Sequence, residues 1–334
     1  MSEIRPEGPR RAIPGRPTKR GRCGLTGALI ALGLSPFATV TRAAAESTLE
    51  SVVTEVLEDP ARTERPAYLT VALGAFAQPR VRSGAATLDE RRVDASFGTA
   101  FPPTEGLLLT AGIDLAYTSH RWEDSTKLAL AEPIRDRYTA RFSPGFVLSI
   151  TEGWTLIVAG DLDSSFADDA ELGDSLTYGG ITILSHRVTD TLTIAGVLIV
   201  KTRLDRDVQV LPVGGFEWTP TAGFTVELTG DVAGPTLRAR HRFADHWWWS
   251  LAGRFEDEIY RIDLAANDEG TFEDERITAL GGITWRPGPR LAIGLRAGVA
   301  LSDEVRIDSA AKGRVGSVSF DPSPVVGLML DLGI

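Results

Sequence analysis

From Tyr68 to the C-terminus the chain alternates apolar and polar side chains with a period of two, and this constrains its fold more than any other feature. Successive side chains of an extended strand point to opposite faces, so a period of two writes one dry face and one wet face. In Arg290 to Ser302, Leu291, Ile293, Leu295, Ala297, Val299 and Leu301 fall on one face; Arg290, Ala292, Gly294, Arg296, Gly298, Ala300 and Ser302 fall on the other. Phe224, Val226 and Leu228 stand in the same way against Thr225, Glu227 and Thr229. Past the first 45 residues no run approaches the ~20 consecutive apolar residues of a membrane helix, which excludes a helical membrane protein.

Such segments number about fourteen, within a range of twelve to sixteen: 68–80, 90–101, 106–118, 135–149, 153–165, 175–186, 191–203, 208–218, 223–231, 234–243, 247–262, 274–286, 290–303 and 322–334. Many hold ten residues or more, enough to cross a bilayer at a tilt. The expected fold is therefore all-β: a transmembrane antiparallel up-and-down β-barrel over residues 67–334. Short turns at Pro102 to Glu105, Thr151-Glu152, Val188 to Asp190, Thr219 to Ala222, Ala244 to His246 and Pro287 to Pro289 alternate with longer segments at Ser119 to Ile134, Ala167 to Asp174, Ala265 to Glu273 and Asp303 to Pro322. That alternation is the habit of outer-membrane barrels, short on the periplasmic side and long outside. Leu204 to Asp207 and Val232-Ala233 are short connections on the long side and weaken the contrast.

Trp154, Trp218, Phe224, Phe243, Trp247, Trp249 and Trp285 all border the short turns. Aromatic residues collected at one level make a girdle at the lipid headgroups, whereas the core of a soluble β-sandwich, the competing fold, would scatter them along the strands. Pro144 and Pro212 lie inside expected strands, where proline removes a ladder donor and marks an edge or a bulge.

Residues 1–45 differ in character. A basic region (Arg10, Arg11, Arg16, Lys19, Arg20, Arg22) precedes the apolar run Gly24 to Val40 and then Ala43-Ala44-Ala45, the three-part layout of a secretory signal peptide cut near Ala45. Cys23, the only cysteine, falls in the part removed. Removal also takes away eight basic and two acidic residues, leaving 27 against 43 and a balance of −16. An acidic exported chain is unsuited to nucleic acid, whose phosphates demand a basic surface. Residues 46–66 are expected to form a periplasmic linker with one short amphipathic helix, from Leu49, Val52, Val53, Val56 and Leu57 ahead of Asp59-Pro60. The expected address is the cell outer membrane, with outer-membrane lipid, lipopolysaccharide and the barrel-assembly machinery as partners.

The segment Leu211 to Pro220 (LPVGGFEWTP), followed by Arg238 to Trp247 (RARHRFADHW), resembles an uncharacterised family of bacterial outer-membrane β-barrels, a domain of unknown function. The likeness runs from Tyr68 to the C-terminus and is strongest from Val208 to Arg306. It implies a barrel and a location, and no substrate.

Charges gather on the inward parity: Arg137, Arg141, Asp161, Asp163, Glu217, Glu227, Asp231, Arg238, Arg240, Arg242, Arg254, Arg276 and Arg296, with Lys201, Arg203, Glu256, Arg290 and Asp331. Facing lipid each would cost up to a few kcal/mol, so the lumen is their address. A hairpin turning at Val232-Ala233 pairs Asp231 with Gly234, Glu227 with Arg238 and Thr229 with Thr236. These charges either brace the barrel interior or line a pore and set its selectivity, and the residues alone do not choose.

A hydrolase needs a histidine within reach of an activated serine. His186 follows Ser185 but the two point to opposite faces, His241 has lipid parity, His246 sits in a turn, and His120 opens a loop, with Asp124 as its best partner. Paired histidines or cysteines at ligand spacing are missing, acidic stretches such as Asp168-Asp169-Ala170-Glu171 lack the order of a calcium loop, and no cofactor is implied. The expected function is a passive channel or transport-related, porin-like barrel. The alternative is an anchoring barrel with a blocked lumen and working surface loops.

Overall fold

The computed structural model describes residues 68–83, 86–123, 134–167, 170, 172–204, 208–230, 234–264, 268–288, 290–309 and 313–333. The signal segment, the linker and Asp231 lie outside them. The described chain is a succession of antiparallel strands: β1 (Tyr68–Ser83), β2 (Ala86–Thr104), β3 (Leu107–Glu123), β4 (Asp136–Thr151), β5 (Trp154–Ala167), β6 (Leu176–Thr189), β7 (Leu192–Thr202), β8 (Val208–Thr221), β9 (Phe224–Gly230), β10 (Pro235–Ala244), β11 (Trp247–Leu264), β12 (Asp268–Gly288), β13 (Leu291–Ser309), β14 (Gly313–Phe320) and β15 (Ser323–Gly333). Each pairs with its sequence neighbour from β1 to β14, and β15 pairs with both β13 and β1, which closes the sheet into a barrel.

The last two labels describe one path. Asp303 faces Phe320 on β14 and Ala300 faces Ser323 on β15, so the register against β13 is unbroken across Asp321-Pro322. The barrel therefore has fourteen strands, as the alternation predicts. Closure pairs the first strand with the last, the condition for a sheet to stand in lipid.

Two expected loops are strand instead. Residues 303–322 continue β13 to Ser309 and return as β14, and β12 begins at Asp268 rather than at 274. Between Ile277 and Thr278 the β12–β13 register shifts at Leu301, a β-bulge that inserts one residue and swaps the two faces above it. Val305 and Ile307 thus turn inward where the simple count of two would turn them outward, which is why the sequence pattern loses them. The two prolines do not make bulges. Pro144 stays opposite Ala111 and Pro212 opposite Leu198 with no register shift beside them, and Pro212 lies beyond the reach of β9, which ends at Gly230. A lost donor there costs a single ladder bond.

The outer face is apolar: Leu295 is 64% exposed, Leu251 57% and Leu237 51%, with Phe97, Ile113, Phe142, Leu184, Ile194, Ile283 and Leu328 on the same surface. At ~25 cal/mol per Å² such a surface is tenable only against lipid. Turns at 105–106, 152–153 and 222–223 each end on a glycine of positive φ (76°, 80° and 90° for Gly106, Gly153 and Gly223), which lets a tight hairpin follow the twist of the sheet.

Strand length is uneven, and this shapes the molecule. Strands β6 to β10 have 14, 11, 14, 7 and 10 residues, whereas β11, β12 and β13 have 18, 21 and 19. All share the short-turn end, so the difference accumulates at the other, upper end. There β5 parts from β6 above Ser164 and β11 parts from β10 above Arg254. The two freed edges meet each other, with Arg261 of β11 in parallel register with Phe166 of β5. The barrel has two tiers: fourteen strands below, and above them a narrower ring of β11 to β13, the β14–β15 path and β1 to β5.

Candidate functional site

The upper ring is filled. Its top is an apolar cap in which Leu88, Tyr260, Ile262, Phe272, Ile307 and Phe320 are buried together. Beneath the cap, ion pairs run across the interior rather than along the wall. Arg276 of β12 reaches Glu90 of β2 at 2.8 Å, Asp274 at 3.2 Å and Asp303 of β13 at 3.4 Å. Arg137 of β4 reaches Asp274 at 3.1 Å and Glu258 of β11 at 3.3 Å, and its guanidinium lies 3.7 Å from the Tyr260 ring centroid. Arg92 of β2 bonds Asp94 at 2.5 Å and Glu258 at 3.1 Å, and the Tyr260 hydroxyl donates to Glu258. Each arginine ties β2 or β4 to β11 or β12, so the network spans the ring and holds it shut.

His120 does not open a loop. It lies inside β3, buried, with its Nε2 3.7 Å from Glu90 and its ring near Phe272, while Asp124 falls outside the described residues. His186 stacks on Trp154 with ring centroids 4.3 Å apart, His241 packs with Phe224 and Trp249, and His246 contacts the Arg286 carbonyl in a turn.

Below the ring the wall is divided into sectors. Ala100, Leu108, Val147, Ile157 and Ala159 of β2 to β5 make an apolar inner patch, against which Ile181 and Ile183 of β6 pack. Arg238, Arg240 and Arg242 of β10, Arg254 of β11 and Arg296 of β13 stand on the inner parity of the sector beyond it. The β9–β10 hairpin has the register expected from the sequence: Glu227 faces Arg238 and Thr229 faces Thr236. Arg238 donates to Glu227 at 3.0 Å, Arg240 lies 3.7 Å from the same carboxylate, and Arg254 lies 3.5 Å from Glu256. Glu217 stands opposite Glu227 on the other side. Two like charges in register repel, so the arginines offset a repulsion built into β8 and β9. Arg296 points to the Met329 sulfur at 3.4 Å, and Arg242 is exposed at the short-turn mouth.

A polar cavity of about 70 Å³ lies where the two tiers join. Arg141, Asp161 and Asp163 line it from the inner faces of β4 and β5, with Lys201 of β7 beside them. Arg141 holds Asp161 at 3.2 Å and Asp163 at 2.9 Å. Asp257 and Ile259 line the same cavity from β11, on the parity that carries lipid-facing Leu251 lower down. Arg203, just past β7, bonds Asp257 at 2.6 Å and Glu273 at 2.8 Å, both on that outer parity.

The aromatic residues of the expected girdle lie at the short-turn end. Trp154, Trp218, Phe243, Trp247 and Trp285 are exposed on the outer face, and Phe224 and Trp249 are half-buried beside His241. Trp247 and Trp285 face each other in register with ring centroids 6.5 Å apart. Arg137, Arg141, Asp161, Asp163 and Arg276 lie on the inward parity. Glu90, Arg92, Asp94, Asp274, Asp303 and Glu258 share that face and are absent from the charges singled out in the sequence. The signal for β2 is visible in retrospect as Glu90, Arg92, Asp94 and Ser96 at a period of two; Asp303 is hidden by the bulge.

No family model matches the chain, and no curated protein matches it. Among solved structures it is similar to an outer membrane channel from Pseudomonas putida F1, with 7% identity over 83% of this chain and 99% of that one and a TM-score of 0.46. It is also similar to the Ralstonia pickettii toluene transporter TbuX, at 12% identity over 82% and 93% with a TM-score of 0.40. The KdgM porin gives 6% identity over 79% and 98% with a TM-score of 0.34.

Proposed function

We propose that this chain is an outer-membrane barrel acting as a passive, porin-like channel for small hydrophilic solutes. The observation that carries the proposal is the pairing of an apolar outer belt with an inner wall that holds Arg238, Arg240, Arg254, Glu227 and Glu256. Charges inside a membrane wall line water, and rings of them set which ions pass. The short turns then lie in the periplasm, with the upper ring outside and lipopolysaccharide around it. Purified protein refolded in detergent should migrate differently on a gel before and after boiling and should give discrete conductance steps in planar bilayers. Folded protein without conductance overturns the proposal.

A second reading, an anchoring barrel with a closed lumen, is favoured by one observation: the pairs of Arg92, Arg137 and Arg276 across the upper ring. Selectivity separates the two. Changing Arg238, Arg240 and Arg242 together to Gln removes positive charge from one wall, so the reversal potential in a salt gradient should move toward cations, by a several-fold change in permeability ratio. Unchanged selectivity with lower stability assigns these arginines to bracing.

A further inference from the structure

The filled upper ring raises the question of where a solute crosses. Three features answer it together. First, β6 to β10 stop short and the wall closes over their tops through the Arg261–Phe166 contact, so the lower lumen extends beneath an overhang. Second, the cavity at that overhang is lined from both sides of the wall: Arg141, Asp161 and Asp163 face the lumen, whereas Asp257 and Ile259 belong to the outer parity of β11. Glu258 and Tyr260 line it from the inner parity of the same strand, so the cavity sits at the freed edge of β11, where its pairing with β10 has ended. Third, Arg203 reaches across it from the end of β7 to Asp257 and Glu273, beside Leu204.

We propose that hydrophilic solutes pass sideways between lumen and exterior through this portal, under the β5–β11 contact, and that Arg203 is its stopper. The inference rests on the channel reading above and names its path. The lining carries charges of both signs, with Leu204 and Ile259 as its large aliphatic side chains, so it suits small polar solutes better than hydrocarbons. The tops of the short strands still carry lipid-facing side chains, Tyr178 at 62% and Val208 at 61% exposure, which puts the opening just above the apolar belt, at the headgroup level. Opening moves one arginine away from Asp257, Glu273 and Gln209, whereas opening the ring requires breaking the linked pairs of Arg92, Arg137 and Arg276.

The test uses single-channel recording of the full chain with Cys23 changed to Ser. Arg203→Gln keeps the length of the stopper and removes its charge; conductance should rise at least two-fold. In a separate variant, Lys201→Cys, a bulky methanethiosulfonate added on the external side should cut conductance by half or more, with recovery after dithiothreitol. This second variant decides alone if Arg203→Gln does not fold. Labelled Lys201→Cys conducting as before, with labelling verified by mass, overturns the portal and leaves the channel reading standing. No conductance from unmodified folded protein overturns the channel reading, and the portal with it.

Discussion

Changing Arg276 to Met should leave little folded barrel. The guanidinium is 1% exposed and serves Glu90, Asp274 and Asp303, so its loss leaves carboxylates of three strands close together and out of water. Breaking a buried pair by removing one partner costs about 3–5 kcal/mol, comparable with much of the stability of a typical domain. The measure is the fraction of heat-modifiable protein after refolding, with the urea midpoint of any folded fraction. The quadruple variant in which Glu90, Asp274 and Asp303 become Gln, Asn and Asn beside Arg276→Met should recover part of the loss. A barrel that tolerates Arg276→Met alone would mean that the ring is wet and the network dispensable.

The second large effect concerns backbone rather than charge. A Cβ on Gly298 would stand 1.9 Å from the Ala279 carbonyl oxygen and 2.8 Å from the Leu280 Cα, both atoms of the β12 backbone. Gly298 lies three residues before the bulge at Leu301, and because the clashing atoms are backbone no side chain can move aside to make room. Gly298→Ala must push β12 and β13 apart, at a cost of about 3 kcal/mol, the upper end for overpacking. Gly214→Ala is the matched control, since a Cβ there meets nothing within 4 Å, and its urea midpoint should stay where it is. Equal midpoints for the two variants would refute the steric account.

The sequence makes the lower tier legible and the upper tier much less so, for a physical reason. Below, strands such as β9 and β13 separate lipid from water, so Leu291 to Leu301 and Phe224 to Leu228 repeat at a period of two. Above the bilayer neither face touches lipid. Glu273 and Thr271 are buried on the outer parity, and Phe272 is buried on the inner one, so contrast vanishes along β12. With contrast gone, 268–273 and 303–320 resemble loops. Pairing between neighbours was readable, as Glu227 with Arg238 illustrates, because a tight hairpin fixes its own register. Contacts such as Arg276 with Glu90 join strands on different sides of the ring, and no local pattern encodes them. The portal depends on strand lengths differing between β5, β9 and β11, a property of the whole barrel.

The contact between Arg261 and Phe166 has a consequence for the order in which the molecule is made. Every lower pairing from β1 to β13 joins adjacent hairpin partners, but this one brings together residues about 95 apart in the chain. Long-range closure is slow and comes after the local pairings that bring its ends near. The apolar cap draws on β2, β5, β11, β12, β13 and β14, so it too must wait for the late strands. A barrel arrested before β15 has linked β13 to β1 therefore displays Tyr260, Phe272 and Phe320 to water, and a finished one hides them. Completion of the wall is thereby written on the upper ring, as sticky aromatic residues that vanish from reach when the last seam shuts.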